Sequence, residues 1–311
     1  MKCRVCGNTA RIKLHSHHTA FCREHFLQFF YRRIERTIKK FRMFRRDELV
    51  LVAVSGGKDS LALWHALMEL GYKVKGFFIN LHIKPGSGES EEYVRRFAQK
   101  FGADLTVVDV KDYLGFSIPE AVKVVRKPAC AVCGMVKRYI MNRHALQIGA
   151  TAIATGHQLD DVAATLLGNI LHWQEGHLGR FYPVLEEEDG FARKVKPLTF
   201  TGEYETLAYA HFVGIEYYPK KCRFAHGATS QVYKHILNEL EMEMPGTKLW
   251  FVEGFFRTAR EKFRAEEPAA PREKCVFCGY PTTRREMIDG EEKPVCSFCA
   301  LKRRLQKHAG E

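Results

Sequence analysis

The sequence predicts an α/β fold, a doubly wound parallel sheet of Rossmann-like build with small zinc-binding modules at both termini, and three observations predict it. Short apolar runs alternate with longer segments of helical period between residues 49 and 172, the pattern of strand–helix–strand units. The apolar run 49–54 ends in Ser55-Gly56-Gly57-Lys58-Asp59-Ser60, a glycine-bearing junction that opens onto a helix. Paired cysteines stand near each end of the chain, outside that alternation.

Residues 1–30 form the first module. Cys3 and Cys6 make a CxxC pair, and Cys22 with His25 follows fifteen residues later, so three thiolates and an imidazole can close a tetrahedral zinc site. His15, His17 and His18 lie between the pairs as rival ligands, although a polar hairpin accounts for them more simply. Residues 31–48 come next as a basic linker helix. Positions 31–46 hold eight Lys or Arg against one Glu, with Ile34, Ile38 and Phe41 at helical spacing. That cationic face suits solvent or a nucleic-acid backbone equally.

The catalytic unit spans 49–265. Strands are expected at 49–54, 74–79, 105–110 and Ala152–Thr155, and helices at 59–70, 90–101, 130–148 and 160–172. Residues 84–88, with Pro85 and two glycines, read as a flexible connection. Beyond 176 the pattern weakens: 186–189 is an acidic loop, and 203–213, 229–242 and 249–263 read as helices, the last packed through Trp250, Phe251, Phe255 and Phe256. Residues 266–273, rich in Pro and Ala, mark the linker within a final module at 266–311. There Cys275/Cys278 and Cys296/Cys299 are two CxxC pairs separated by seventeen residues, the spacing of a zinc ribbon.

Composition bounds the function. A formal net charge of +13 points to a polyanionic partner, and nucleic acid is the expected one. No apolar stretch reaches membrane-spanning length and the start, MKCRVCG, lacks a signal-peptide core, so a cytoplasmic location with no membrane partner is expected. Ten cysteines in that setting are metal ligands before they are disulfides.

The junction 55–60 gathers unpaired backbone N–H groups and a helix dipole at one point, which suits phosphate. Ser55 and Ser60 supply hydroxyls, Gly56 and Gly57 allow close approach, Lys58 adds charge and Asp59 is a candidate Mg2+ ligand. Walker A spacing is absent. A second junction, Gly156-His157-Gln158-Leu159-Asp160-Asp161, follows the strand Ala152–Thr155. In one parallel sheet Asp59 and the pair Asp160/Asp161 converge at the carboxyl edge, where carboxylates can hold Mg2+ or organise a proton transfer, whereas either aspartate alone would read as a helix cap.

Cys130, Cys133 and Cys222 remain. Three thiolates without a fourth cannot close a structural zinc site, while a cluster held by three cysteines leaves one iron open. A redox-active CxxC and three unrelated core cysteines stay as alternatives.

The hexapeptide SGGKDS resembles the PP-loop of the ATP pyrophosphatases, which split ATP into AMP and pyrophosphate. With the terminal CxxC/CxxH finger, the segment 129–134 with Lys137 behind it, GHQLDD, Cys222 and the C-terminal ribbon in this order, the whole chain resembles the TtuA-type tRNA thiolation enzymes, relatives of the wobble-uridine thiolases and of TtcA. The resemblance implies a tRNA sulfurtransferase that adenylates the C2 carbonyl of uridine or 5-methyluridine 54 with ATP and Mg2+ and then replaces oxygen by sulfur. It implies that Cys130, Cys133 and Cys222 hold a [4Fe-4S] cluster whose fourth iron receives sulfide, that Lys137, Asp161 and Asp59 are catalytic, that two Zn2+ occupy the terminal modules, and that a ubiquitin-like thiocarboxylated carrier protein brings the sulfur; it is compatible with a homodimer. Position 34 is the alternative substrate. A PP-loop amidating ligase explains SGGKDS but not the three cysteines, and a non-catalytic zinc-finger RNA-binding protein leaves SGGKDS and GHQLDD without purpose.

Overall fold

The computed structural model describes residues 1–83, 86–188, 190–220, 222–225, 229–263 and 271–310. Pro85 of the expected flexible connection, Asp189 of the acidic loop and most of the linker 266–273 lie outside the described residues. Strands β1 (Ile12–Leu14) and β2 (Thr19–Phe21) form an antiparallel hairpin whose turn is His15–His17, and α1 (Arg23–Lys40) starts directly behind Cys22. Helix α1 carries the chain from the hairpin into the basic segment and buries Phe26, Phe30, Ile34 and Ile38, one per turn. It stops at Lys40, short of the expected 46. Met43 and Phe44 are both buried, a pair of neighbours that one helix face cannot bury, and Arg42 takes a φ of 47°.

The central alternation then runs β3 (Val50–Ala53), α2 (Lys58–Glu69), β4 (Val74–Asn80), α3 (Ser87–Phe101), β5 (Leu105–Asp109), α4 (Val110–Leu114), α5 (Ile118–Val125), α6 (Ala129–Gln147), β6 (Ala152–Thr155) and α7 (Leu159–Leu171). After it come α8 (Glu175–Gly179), β7 (Val184–Leu185), β8 (Arg193–Val195), α9 (Glu203–Val213), α10 (Thr229–Glu243) and α11 (Thr247–Gly254). The sheet order is β5-β4-β3-β6-β8-β7, parallel except for β7, which pairs antiparallel with β8 at the edge. Strands β7 and β8 were not expected, because two and three residues are too few to show a period. The helix expected at 249–263 is broken: α11 passes into a π turn at Phe255–Ala259 and a 3-10 turn at Arg260–Phe263.

Two apolar layers sandwich the sheet. One joins Trp64, Phe97 and Tyr209 to the α1 face. The other joins Leu51, Phe77 and Ile153 to α5, α6 and the C-terminal module. That module consists of β9 (Glu273–Lys274) with β10 (Pro281–Thr282), β11 (Arg285–Ile288) with β12 (Glu291–Pro294), and α12 (Ser297–Gly310). Its Phe298 stacks on Tyr139 of α6 at 3.8 Å between centroids and 4° between planes, which fixes the module to the helix that carries Cys130, Cys133 and Lys137. A third cluster packs α7 against α10 and α11. Among the described residues no helix is long and apolar enough to cross a membrane.

Candidate active site

Strand β3 is flanked by β4, the next strand in sequence, and by β6, reached only after the chain has wound the other half of the sheet. Such a switch point opens a crevice at the carboxyl ends of the two strands. The register pairs Ala53 with Thr155, so the junctions 55–60 and 156–161 leave the sheet side by side. Gly156 makes this approach feasible: a Cβ there would lie 2.8 Å from the Ser60 backbone. Gly56 turns with a φ of 81°, and a Cβ on it would meet the Ser90 carbonyl at 2.7 Å.

Between these junctions lies a cavity of about 400 Å³, lined by Ser55, Asp59 and Ser60 from one side and by His157, Asp161 and Lys137 from the other. The loop is shaped by its own hydroxyls: Ser60 Oγ accepts from Ser55 N at 3.1 Å and donates to Gly57 O at 3.1 Å. Gly57 caps α2 without a side chain, so the first-turn N–H groups keep their capacity for an anion. Ser87 and Ser90 of α3 add hydroxyls to the same wall.

Lys58 and Asp160 do not line the cavity. Lys58 Nζ sits 3.0 Å from Asp59 Oδ2 and 2.8 Å from Glu203 Oε1 of α9. Asp160 is buried, accepts from Glu203 N at 2.7 Å and pairs with Lys248. Its position is thus that of a cap on α9. Asp161 also closes a capping box with Gln158, yet its carboxylate reaches the cavity and meets Lys234 at 2.6 Å. Asp59 accepts from Thr206 at 2.5 Å. Burial pushes its carboxyl above the ordinary value against the pull of the Lys58 ammonium. His157 opens onto the cavity with Nδ1 2.8 Å from Thr155 Oγ1; enclosure by protein, helped by the Lys196 cation, lowers its imidazole. Glu203, Thr206, Lys234 and Lys196 belong to no motif visible in the sequence.

The cysteines sort by geometry. Cys3, Cys6, Cys22 and His25 have their ligand atoms within 4.8 Å of one another, as do Cys275, Cys278, Cys296 and Cys299, the mutual spacing that one tetrahedral ion requires. His17 is turned away from the first quartet, 2.8 Å from Glu205 of α9. Among the described residues Cys130, Cys133 and Cys222 do not form such a close group. Cys130 and Cys133 lie in the first two turns of α6, and Cys130 Sγ is 3.4 Å from the Phe224 carbonyl near Cys222. Cys222 and Cys130 are nonetheless close enough to act electrostatically on Cys133, whose thiol is pushed up by burial and pulled down by Lys137. A trio spread wider than one ion, beside a cation and with two members exposed, fits a polynuclear cluster better than zinc.

Comparison with known proteins fits this arrangement. A PP-loop domain matches residues 30–217, and the N-terminal LIM domain of 2-thiouridine synthetase TtuA matches residues 2–27. The chain belongs to the TtuA branch of the PP-loop family. It is 45% identical to the tRNA-5-methyluridine(54) 2-sulfurtransferase of Thermus thermophilus over 97% of this chain and 91% of that one. Identity to the protein of the same description in Thermotoga maritima is 42%, over 99% and 98%. The U34-tRNA thiolase NcsA from Methanococcus maripaludis, solved with its [4Fe-4S] cluster, superposes with a TM-score of 0.79 at 25% identity, over 97% of this chain and 96% of that one. The short α4, the capped α5 and the β7–β8 edge are parts of this chain that the sequence analysis did not anticipate.

Proposed function

We propose that this protein is a tRNA sulfurtransferase that converts uridine or 5-methyluridine 54 to its 2-thio form, at the expense of ATP cleaved to AMP and pyrophosphate. The observation that carries the reading is the course of α6: its first two turns bear Cys130 and Cys133, and one turn beyond Cys133 it puts Lys137 into the cavity that the phosphate loop walls. One helix therefore joins a nucleotide site to a thiol site.

The base oxygen O2 attacks the α-phosphorus of ATP, the bond to the β-phosphate breaks, and pyrophosphate leaves with its electron pair. The N–H groups at the start of α2 and the Ser55 hydroxyl would receive it, while the Ser60 hydroxyl, already donating to Gly57 O, keeps the loop in shape. Asp59 and Asp161 would hold Mg2+ there, offsetting phosphate charge. The uracil N3 proton is lost in this step; His157, held neutral, keeps a ring nitrogen free to accept it while Nδ1 bonds Thr155. Sulfur then adds at C2 and AMP departs with the C2–O electrons, so the sum involves no net redox change. Cys130, Cys133 and Cys222 would hold the [4Fe-4S] cluster, which when bound supplies an iron able to take sulfide. The Lys137 ammonium, beside Cys133 and open to the cavity, balances negative charge where sulfur and phosphate meet. Sulfur delivery by a ubiquitin-like thiocarboxylated carrier and a cytoplasmic location follow from the same reading. Position 54 is favoured by the 42–45% relatives, whose descriptions name it.

The reading predicts that pyrophosphate release depends on tRNA and that Asp59→Ala abolishes it while zinc content and melting temperature hold. Undiminished AMP formation by Asp59→Ala at saturating tRNA would reject the assignment of the nucleotide site.

A further inference from the structure

Helix α10 meets Asp161 directly and Asp160 only through Lys248 of α11. Lys234 Nζ lies 2.6 Å from Asp161 Oδ1 and 3.4 Å from Glu203 Oε2. One turn later Asn238 accepts from Lys248, whose ammonium also pairs with buried Asp160. Charges thereby alternate from one junction to the other: Asp161, Lys234, Glu203, Lys58, Asp59. Two cations separate three carboxylates in that string, which holds the acids apart and in place.

The approach of α10 is built into α7. Gly168 lies inside α7, where glycine is a poor helix former, and a Cβ on it would come within 2.8 Å of the Tyr233 ring. The bare position lets Tyr233 settle, with its hydroxyl 3.0 Å from His172 Nε2, and Leu237 is buried in the same contact. Residues 233 and 237 thus seat the helix, and Lys234 between them is free of that duty. A partly buried ion pair adds little to stability once both charges have been taken from water. What such a pair supplies here is the orientation of a carboxylate, and the one it orients faces the cavity.

We propose that Lys234 is a positioning residue for the sulfur-transfer reaction, fixing the Asp161 carboxylate toward the nucleotide cavity. The proposal rests on the reading of Asp161 given above. Burial works against the Lys234 charge, but Asp161 and Glu203 outweigh it and hold the ammonium above its ordinary value, so the lysine stays charged. Removing it leaves Asp161 and Glu203 without the cation between them, while Lys58 still separates Glu203 from Asp59, and the freed Asp161 carboxylate turns away from its working position. Positioning losses of this kind fall on kcat rather than on binding.

The test measures tRNA-dependent pyrophosphate release by the cluster-loaded enzyme with Lys234→Met, Lys234→Gln, Asp161→Asn and the double variant Asp161→Asn/Lys234→Met. Lys234→Met should lower kcat on the order of tenfold to a hundredfold while KM for ATP moves by less than about threefold. Lys234→Gln, which can still donate to Asp161, should fall between it and the parent at an equal melting temperature. The residual rate of Asp161→Asn should not drop further when Lys234→Met is added, because the two act as one unit. Should Lys234→Met not fold, Lys234→Gln carries the same expectation of a lowered kcat at an unchanged KM. A parent-like kcat, a loss that follows melting temperature with Gln no better than Met, or a further full loss on the Asp161→Asn background would overturn the proposal. A parent enzyme without any tRNA-dependent release would instead overturn the functional reading itself.

Discussion

The terminal cysteine quartets and the central cysteine trio use the same CxxC spacing for different ends. In each quartet the ligand atoms converge within 4.8 Å; Cys275, Cys296 and Cys299 of the C-terminal quartet are buried, whereas in the N-terminal one Cys3 is buried and Cys6 exposed. In the trio Cys130 and Cys222 are exposed, the sulfurs are farther apart, and the neighbour is the Lys137 ammonium at a cavity. Spacing in sequence marks a candidate metal ligand; convergence of the ligand atoms is what separates a site for a single ion from the trio.

The sharpest break of this comparison is Cys222→Ser. It should reduce thiolation to background and remove iron, expected at about four atoms per loaded chain, while leaving zinc in both quartets; iron that stays bound would place Cys222 outside the cluster. Cys299→Ser should do the reverse. It should lose the ribbon zinc and cost more than about 3 kcal/mol of stability, since loss of a structural metal belongs with the few changes whose effects exceed the usual range for a point mutation. Iron binding and turnover per folded molecule should survive at low temperature, and metal analysis with thermal melts reads both effects. Loss of iron and unchanged stability would merge the two classes.

A smaller effect concerns the basic face of α1. Arg36 is exposed without an acidic partner among the described contacts, Lys39 pairs only with Glu35 of its own helix, and Arg42 follows the helix end. Replacing all three by Glu should weaken tRNA binding and reduce the slope of log affinity against log salt by about two or more, with ATP affinity unchanged; an unaltered salt slope would move the RNA contact elsewhere. The smallest effect is a pH shift. Burial raises the Cys133 thiol and Lys137 lowers it, so the thiolate that a cluster needs forms only as pH rises through that raised value. Lys137→Met removes the lowering influence and should move the pH midpoint of iron loading upward. A downward or absent shift would show that Lys137 does not act on Cys133.

Most of the sheet was legible because β3, β4, β5 and β6 are apolar runs with helices of clear period between them. The helix α12 carried a usable signal in Phe298, Leu301 and Leu305, and α5 one in the Ser117–Glu120 capping box, though neither was read as a helix. Residues of the two junctions were visible because glycines and aspartates cluster there. Lys58 and Asp160 show the limit of that legibility, since the same cluster supplies cavity groups and caps, and only the position of α9 sorts one from the other. Glu203, Thr206 and Lys234 reach the site through tertiary packing of α9 and α10, which leaves no local spacing to recognise.

On the proposed function, ATP activation and sulfur delivery meet in one cavity to modify one base of tRNA. This convergence is tested most directly by incubating the cluster-loaded enzyme with unmodified tRNA, ATP, Mg2+ and sulfide, then mapping thiolated nucleosides by mass spectrometry of nuclease fragments. The account predicts a single 2-thio group at position 54, formed with one AMP per sulfur. Sulfur at position 34, or AMP formation with no sulfur in any base, would contradict it.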